Sequence, residues 1–261
     1  MKLFFHKYQG TGNDFIMIDN SDSKYSSLTV NQIRYLCDRR FGIGADGLIK
    51  INNADGFDFE MDYYNADGTK SFCGNGARCS VMFAKEIDLV KGKKASFMAI
   101  DGLHEAEISD GKVFLKMKDV EEIRSIGDDI FETNTGSPHY IKYVEDIEKE
   151  NVVDFGKSVR YNDTYKVEGI NVNLAEQIAP DKIKVYTYER GVEDETLSCG
   201  TGVTAAALSF AVKNKLEGDQ RIAVQTKGGE LEVRFTKSAS FSNIWLIGPA
   251  VQVFEGTCDV V

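Results

Sequence analysis

A repeated tetrapeptide constrains this chain more than any other feature. Cys73-Gly74-Asn75-Gly76 recurs 126 positions later as Cys199-Gly200-Thr201-Gly202. Two other stretches recur in the same order at an offset of 124. Aligning Gly12 with Gly136 brings GTGNDF (Gly10 to Phe15) against TGSPHY (Thr135 to Tyr140), and Gly47-Leu48-Ile49-Lys50-Ile51 stands opposite Asn171-Val172-Asn173-Leu174-Ala175. Each match alone is weak. Three in order at nearly constant spacing read as two similar halves of about 120 residues. A chain of 261 residues can bury a core in each.

Both CGxG motifs have the same setting. Alternating, strand-like runs precede them, Phe57 to Tyr64 and Lys182 to Tyr188, and each is followed by a turn. Apolar helices follow them, Ala77 to Lys85 and Val203 to Lys213. Helices apolar around most of their surface belong in a core. Thr29 caps a third predicted helix, Val30 to Arg39. The rest alternates between strands and turn signals such as Asp101-Gly102, Asp110-Gly111 and Gly228-Gly229. The expected fold is mixed α/β, with two pseudo-symmetric domains, each a mostly antiparallel strand array around a central helix. The expected halves are 1–118 and 119–249, with a linker near 118–125. Residues 250–261 are a candidate strand returning to the first half.

The chain carries a net charge of −10 and no basic cluster beyond Lys91 to Lys94, which argues against nucleic acid and anionic membrane as partners. No apolar run approaches the roughly 20 residues of a membrane span, and the N-terminus reads as a strand rather than a signal peptide. A cytoplasmic location is expected. The five cysteines are odd in number and match no disulfide framework. Cys73 and Cys79 are six apart, no CxxC occurs and the three histidines are scattered, so no metal is expected.

A helix N-terminus leaves about four backbone N–H groups without partners and carries about half a positive charge. Glycines let a ligand approach that backbone closely. The result is a carboxylate cradle, and a cysteine at the same end has its thiolate stabilised. Two such ends predict two thiols on opposite faces of one α-carbon, the arrangement needed for stereoinversion. One would remove the proton and the other deliver one, while N–H groups stabilise the charge spread onto the carboxylate. Against this stands packing, the commoner fate of a buried cysteine. It accounts for Cys37, Cys79 and Cys258; the matched positions of Cys73 and Cys199 argue otherwise. The GxGxxA match at Gly200 to Ala205 does not directly follow a strand, which counts against nucleotide binding.

These residues resemble the diaminopimelate epimerase family. GTGNDF, RFGIGADGL (Arg40 to Leu48), YNADG (Tyr64 to Gly68), CGNGARC (Cys73 to Cys79), ERG (Glu189 to Gly191) and CGTG match its signature blocks in order, from Gly10 to about Gly202. The resemblance implies a site in the cleft between two domains, no cofactor, no metal and a homodimer. It implies interconversion of LL- and meso-2,6-diaminoheptanedioate by a thiolate/thiol pair, in lysine and peptidoglycan precursor biosynthesis. Cys73 and Cys199 match the acid/base cysteines. Gly74, Asn75, Gly200 and Thr201 match amides that hold the reacting carboxylate. Asn13, Asn65, Asn171, Glu189 and Arg190 match substrate-binding side chains. His139, with Glu189, matches residues that tune the cysteines. Ser137 stands where many members carry asparagine, with a shorter reach. Gly47 stands where some carry a polar side chain, so any contribution would come from its backbone.

The residue types suit that substrate. Arg190 can grip a distal carboxylate bidentately, Glu189 can meet an ammonium, and asparagine serves either. Two alternatives remain open at this point. One is a related pyridoxal-independent racemase or isomerase with another substrate, for which removing Arg190 would matter less. The other is a non-catalytic amino-acid-binding protein on the same fold, against which the paired thiols count.

Overall fold

The computed structural model describes residues 1–260. It divides into two compact units. One comprises Met1–Leu115 together with the segment from Gly248, and the other is Lys116–Ile247. The sequence reading drew these divisions after residues 118 and 249.

The first unit contains, in chain order, β1 (Lys2–Gly10), β2 (Asn13–Asp19), α1 (Val30–Cys37), β3 (Gly47–Asn52), β4 (Phe59–Asn65), α2 (Gly74–Glu86), β5 (Lys94–Ala99), β6 (Gly102–Ser109) and β7 (Lys112–Lys116). Thr29 and Gln32 close a reciprocal capping box at the start of α1. The helix stops two residues short of its expected end. The Asp38 carboxylate accepts the N–H groups of Arg40 and Phe41 at 2.7 and 2.8 Å, and Asp38 itself is extended. The C-terminal strand, Val251–Asp259, runs antiparallel to β1 with Cys258 opposite Leu3.

The second unit contains β8 (Arg124–Gly127), β9 (Ile130–Asn134), β10 (Pro138–Tyr143), α3 (Val152–Arg160), β11 (Asn171–Ala179), β12 (Lys182–Glu189), β13 (Asp194–Thr196), α4 (Gly200–Lys213), β14 (Gly218–Thr226), β15 (Gly229–Lys237) and β16 (Phe241–Gly248); the C-terminal strand is β17. β8 occupies part of the stretch expected as linker. From Gly200 to Ala211 every residue of α4 except Thr201 is buried, as its all-round apolar sequence requires.

The two units repeat one topology. In the first, β1–β2 and β3–β4 are antiparallel, whereas β2–β3 and β4–β5 are parallel. In the second, β9–β10 and β11–β12 are antiparallel, whereas β10–β11 and β12–β14 are parallel. Each parallel pair is joined through a helix, since such strands need a crossover. Even the register repeats: Phe15 faces Gly47, and His139 faces Asn171, both offset by 124. No helix among the described residues is long and apolar enough to cross a membrane.

Helix α3 was not read from the sequence. It is nine residues long, capped by the Asn151 side chain, and interrupted by Gly156. That glycine is a packing residue. A Cβ there would lie 2.3 Å from Cγ of Tyr188 and 2.4 Å from its Cβ, a side chain buried in the core of this unit. Gly156→Ala sets about 1 kcal/mol of gained helix propensity against an overpacking cost of about 1–3 kcal/mol. A ring root cannot swing aside, so overpacking wins. The variant should unfold at lower urea concentration with an unchanged slope; an unchanged or raised midpoint would show that the helix shifts at no cost.

Candidate active site

Both cysteines are N-caps with extended backbone, at φ −134°, ψ 116° for Cys73 and φ −116°, ψ 112° for Cys199. Strand, turn and helix put each sulfur at the start of its central helix, beside that helix's first N–H groups. Cys73 is half-buried and Cys199 is buried.

In the first unit Cys73 Sγ donates to Asn13 Oδ1 at 3.4 Å and accepts weakly from the Gly76 N–H at 3.5 Å. The Asn13 orientation is forced, because its Nδ2 donates to Asp46 Oδ2 at 2.6 Å and a carboxylate only accepts. Its oxygen therefore faces Cys73 and also accepts from Asn75 Nδ2 at 3.4 Å. Asp46 is held by Arg39 at 2.7 Å, and Arg39 and Lys7 both pair with Asp14 at 2.6 Å. Burial alone would raise the Asp14 carboxyl, but the hydrogen bonds and charges of Arg39 and Lys7 outweigh it and hold the group at about 2. This lattice clamps Asn13 from behind. Asn65, at the end of β4, bonds within its own turn to Thr69 and Ser71. Gly47 has no room for a side chain, since a Cβ would lie 2.4 Å from the Tyr63 ring and 2.5 Å from the Tyr64 carbonyl. Gly74 and Asn75 open α2.

In the second unit a hydrogen-bonded chain runs to Cys199. His139 is 0 % exposed; burial, then the nearby Arg190 charge, pushes its imidazole down to about 3, so it is neutral at physiological pH. Asn173 Nδ2 lies 3.1 Å from the Tyr140 carbonyl and 3.0 Å from His139 Nδ1. A carbonyl only accepts, so this is the amide's NH2 end and His139 Nδ1 is an acceptor. The ring proton then sits on Nε2 and is donated to Thr201 Oγ1 at 2.9 Å. The Thr201 hydroxyl is left to donate to Cys199 Sγ, 3.5 Å away. Thr187 completes the chain by donating to Asn173 Oδ1 at 2.9 Å, and Thr135 donates to the Thr201 carbonyl at 2.8 Å.

Asn171 Nδ2 donates to Ser137 Oγ at 2.8 Å, and its Oδ1 accepts the Arg190 N–H at 2.9 Å. Arg190 is exposed and donates to the Glu168 carbonyl at 3.0 Å, while Glu189 ends β12. Gly200 and Thr201 open α4.

The structure thus gathers Asn13, Asn75 and Cys73 at one helix tip, and His139, Thr201 and Cys199 at the other. Ser137, Asn171 and Arg190 form a separate bonded group within the second unit. Sequence reasoning missed Asp46, Asn173 and Thr187. Asn173 could have been found, because it is two residues from Asn171 and so shares its face of the strand. No group of three metal-binding side chains occurs among the described residues.

A family model described as diaminopimelate epimerase matches residues 5–121 and 131–253. A diaminopimelate epimerase of Flavobacterium psychrophilum is 49% identical over 260 residues, covering 98% of this chain and 100% of the relative. One from Aquifex aeolicus is 39% identical, covering 97% and 96%. Among solved structures, a PhzF-family phenazine biosynthesis protein of Bacillus anthracis superposes with a TM-score of 0.79 over 100% of both chains at 13% identity. At that identity the likeness concerns the fold.

The buried imidazole has a consequence for stability. Its folded value of about 3 lies below the unfolded 6.5, so on acidification the unfolded chain takes up the proton first. Stability should fall as pH drops from about 6.5 toward about 3, by at most about 1.4 kcal/mol per pH unit from this group. His139→Gln should remove that part of the slope in urea titrations across the window. An identical slope in the variant would assign the effect to other groups.

Proposed function

The chain belongs to the diaminopimelate epimerase family, and from that premise we propose that Cys73 and Cys199 are the acid/base pair of its reaction. It is an isomerase whose substrate is a small molecule, 2,6-diaminoheptanedioate, interconverted between its LL and meso forms on the route to lysine. The observation that carries the residue assignment is the duplicated sulfur cap: each unit begins its central helix with a cysteine at the N-cap, beside that helix's first N–H groups.

In this scheme one sulfur takes the α-proton as thiolate while the other, as thiol, returns a proton to the opposite face. The charge left on the α-carbon flows into the substrate carboxylate. The amides of Gly74, Asn75, Gly200 and Thr201 receive it, needing no reorganisation at the moment of reaction. Asn13, Asn65, Ser137, Asn171, Glu189 and Arg190 bind the polar ends, Arg190 taking the distal carboxylate as a bidentate partner. Gly47 contributes backbone alone. His139 acts on Cys199 through the Thr201 hydroxyl, and Glu189 adds its charge to the tuning. Each protonation state has a favourable partner: an acceptor oxygen for the Cys73 thiol, a hydroxyl donor for the Cys199 thiolate.

The working unit is a homodimer. In support, the paired strands β1 and β17 carry exposed apolar side chains, Phe4, Val251, Val253 and Phe254, that are 44 to 57% exposed and that a second copy could cover. A reducing cytoplasm suits five free cysteines, two of which must remain thiols to work.

Cys73→Ala and Cys199→Ala should each cut epimerisation of LL-diaminopimelate by about 10²–10⁴-fold while the variants stay folded. A reducing assay that follows the appearance of the meso isomer measures this. Near-normal turnover in either variant would rule out the paired-sulfur scheme. Arg190→Met should raise KM for diaminopimelate and spare weak activity on amino acids lacking the distal carboxylate.

A further inference from the structure

Arg78 stands outside every role assigned above. It lies five residues beyond Cys73 in α2 and is 0 % exposed. Its Nη2 donates to Thr11 Oγ1 at 3.0 Å, its Nε reaches the Pro249 carbonyl at 3.4 Å, and its Nη1 has no hydrogen-bond partner among the described residues. Both of its partners are neutral oxygens. A guanidinium shut away from water without a carboxylate is costly, so its retention needs a reason.

The groups around it narrow that reason. Among the described residues, the groups whose negative charge would favour this cation are the thiols of Cys79 and Cys73. Cys79 is fully buried, and burial holds its thiol up at about 12 despite the neighbouring cation, so it does not ionise near neutrality. On the β1 side, Tyr8 is tied to Glu86 and burial raises its phenol, so it stays neutral. Lys7, Asp14, Arg39 and Asp46, behind Asn13, are satisfied among themselves. The C-terminal segment brings the Pro249 carbonyl. Among the described groups that act on Arg78, this leaves Cys73, the cap of the same helix, to supply an anion.

The second helix tip differs. At the same offset of 126, Arg78 corresponds to Thr204, whose hydroxyl bonds to the Gly200 carbonyl of its own helix at 3.0 Å. The helix that Cys199 caps carries no arginine, but Cys199 has the Thr201 hydroxyl as donor. Cys73 meets the fixed oxygen of Asn13, which favours the thiol. A reversible two-sulfur reaction needs both sulfurs to pass through the thiolate. We propose that Arg78 is a positioning residue that supplies the buried positive charge offsetting Asn13, so that Cys73 can serve as base as well as acid.

This rests on the epimerase reading, but its test needs no substrate and so fails or succeeds independently. In the full-length Cys199→Ala protein, ultraviolet thiolate absorbance at neutral pH reports Cys73, because burial raises the thiols of Cys37, Cys79 and Cys258. Adding Arg78→Gln, which keeps hydrogen-bonding capacity without charge, should lower the thiolate fraction at least about tenfold. Arg78→Lys should restore most of it. In the Cys73→Ala background, Arg78→Gln should leave the Cys199 signal unchanged. A thiolate fraction that is the same with glutamine and arginine would overturn the proposal, leaving Arg78 as a structural pin for Thr11 and Pro249. If the glutamine variant does not fold, the Cys199→Ala protein alone decides: a measurable thiolate signal supports the proposal, and none at neutral pH overturns it.

Discussion

Two helix N-termini that end on sulfur set the terms for the rest of this molecule. An N-cap is ordinarily a serine, threonine, aspartate or asparagine, whose oxygen closes onto a backbone N–H and contributes about 1 kcal/mol. Sulfur is a poorer acceptor. Cys73 reaches its Gly76 N–H only at 3.5 Å, and Cys199 makes no capping bond to its own helix. Both helices therefore start without their full local stabilisation, and the proposed carboxylate would bind at their first N–H groups. Tertiary burial offsets the loss, most plainly at α4, which is enclosed on nearly all sides.

The duplicated topology supplies the two tips, but their surroundings have diverged. Around Cys73 the lattice of Lys7, Asp14, Arg39 and Asp46 fixes an asparagine oxygen, and the helix that Cys73 caps carries a buried arginine, Arg78. Around Cys199 an uncharged chain through Thr187, Asn173, His139 and Thr201 ends in a hydroxyl. One tip is governed by charge and the other by hydrogen-bond direction. The proposed reaction, which would send a proton in on one face and out on the other, calls for such inequality, since its two sulfurs would begin each turnover in different protonation states.

Much of this was legible in the sequence because it is written in local pattern. The all-apolar run of α4, the Thr29 capping box and the repeated CGxG each carry their own physical signature, although α2 and α4 begin at Gly74 and Gly200, three residues ahead of the expected Ala77 and Val203. What escaped depends on distant partners. Helix α3 was hidden because Gly156 reads as a breaker until Tyr188 is seen packed against it. The parallel pairings follow from crossovers that strand periodicity cannot reveal. Asp46 and Arg78 lie inside quoted motifs, yet their roles depend on Asn13, 33 positions away, and on Thr11, 67 positions away. The direction of each hydrogen bond, which decides the state each sulfur favours, exists only once those partners are assembled.

In the proposed reaction two different sulfurs serve one carbon. The most direct measurement runs the reaction in deuterated water and reads the α-position of product and of remaining substrate at low conversion. With one group for each face, the first meso product formed from LL substrate carries solvent deuterium, while the unreacted LL isomer keeps its protium. If a single group served both faces, product would retain a large share of the original protium, and that result would contradict the assignment of Cys73 and Cys199 to separate roles.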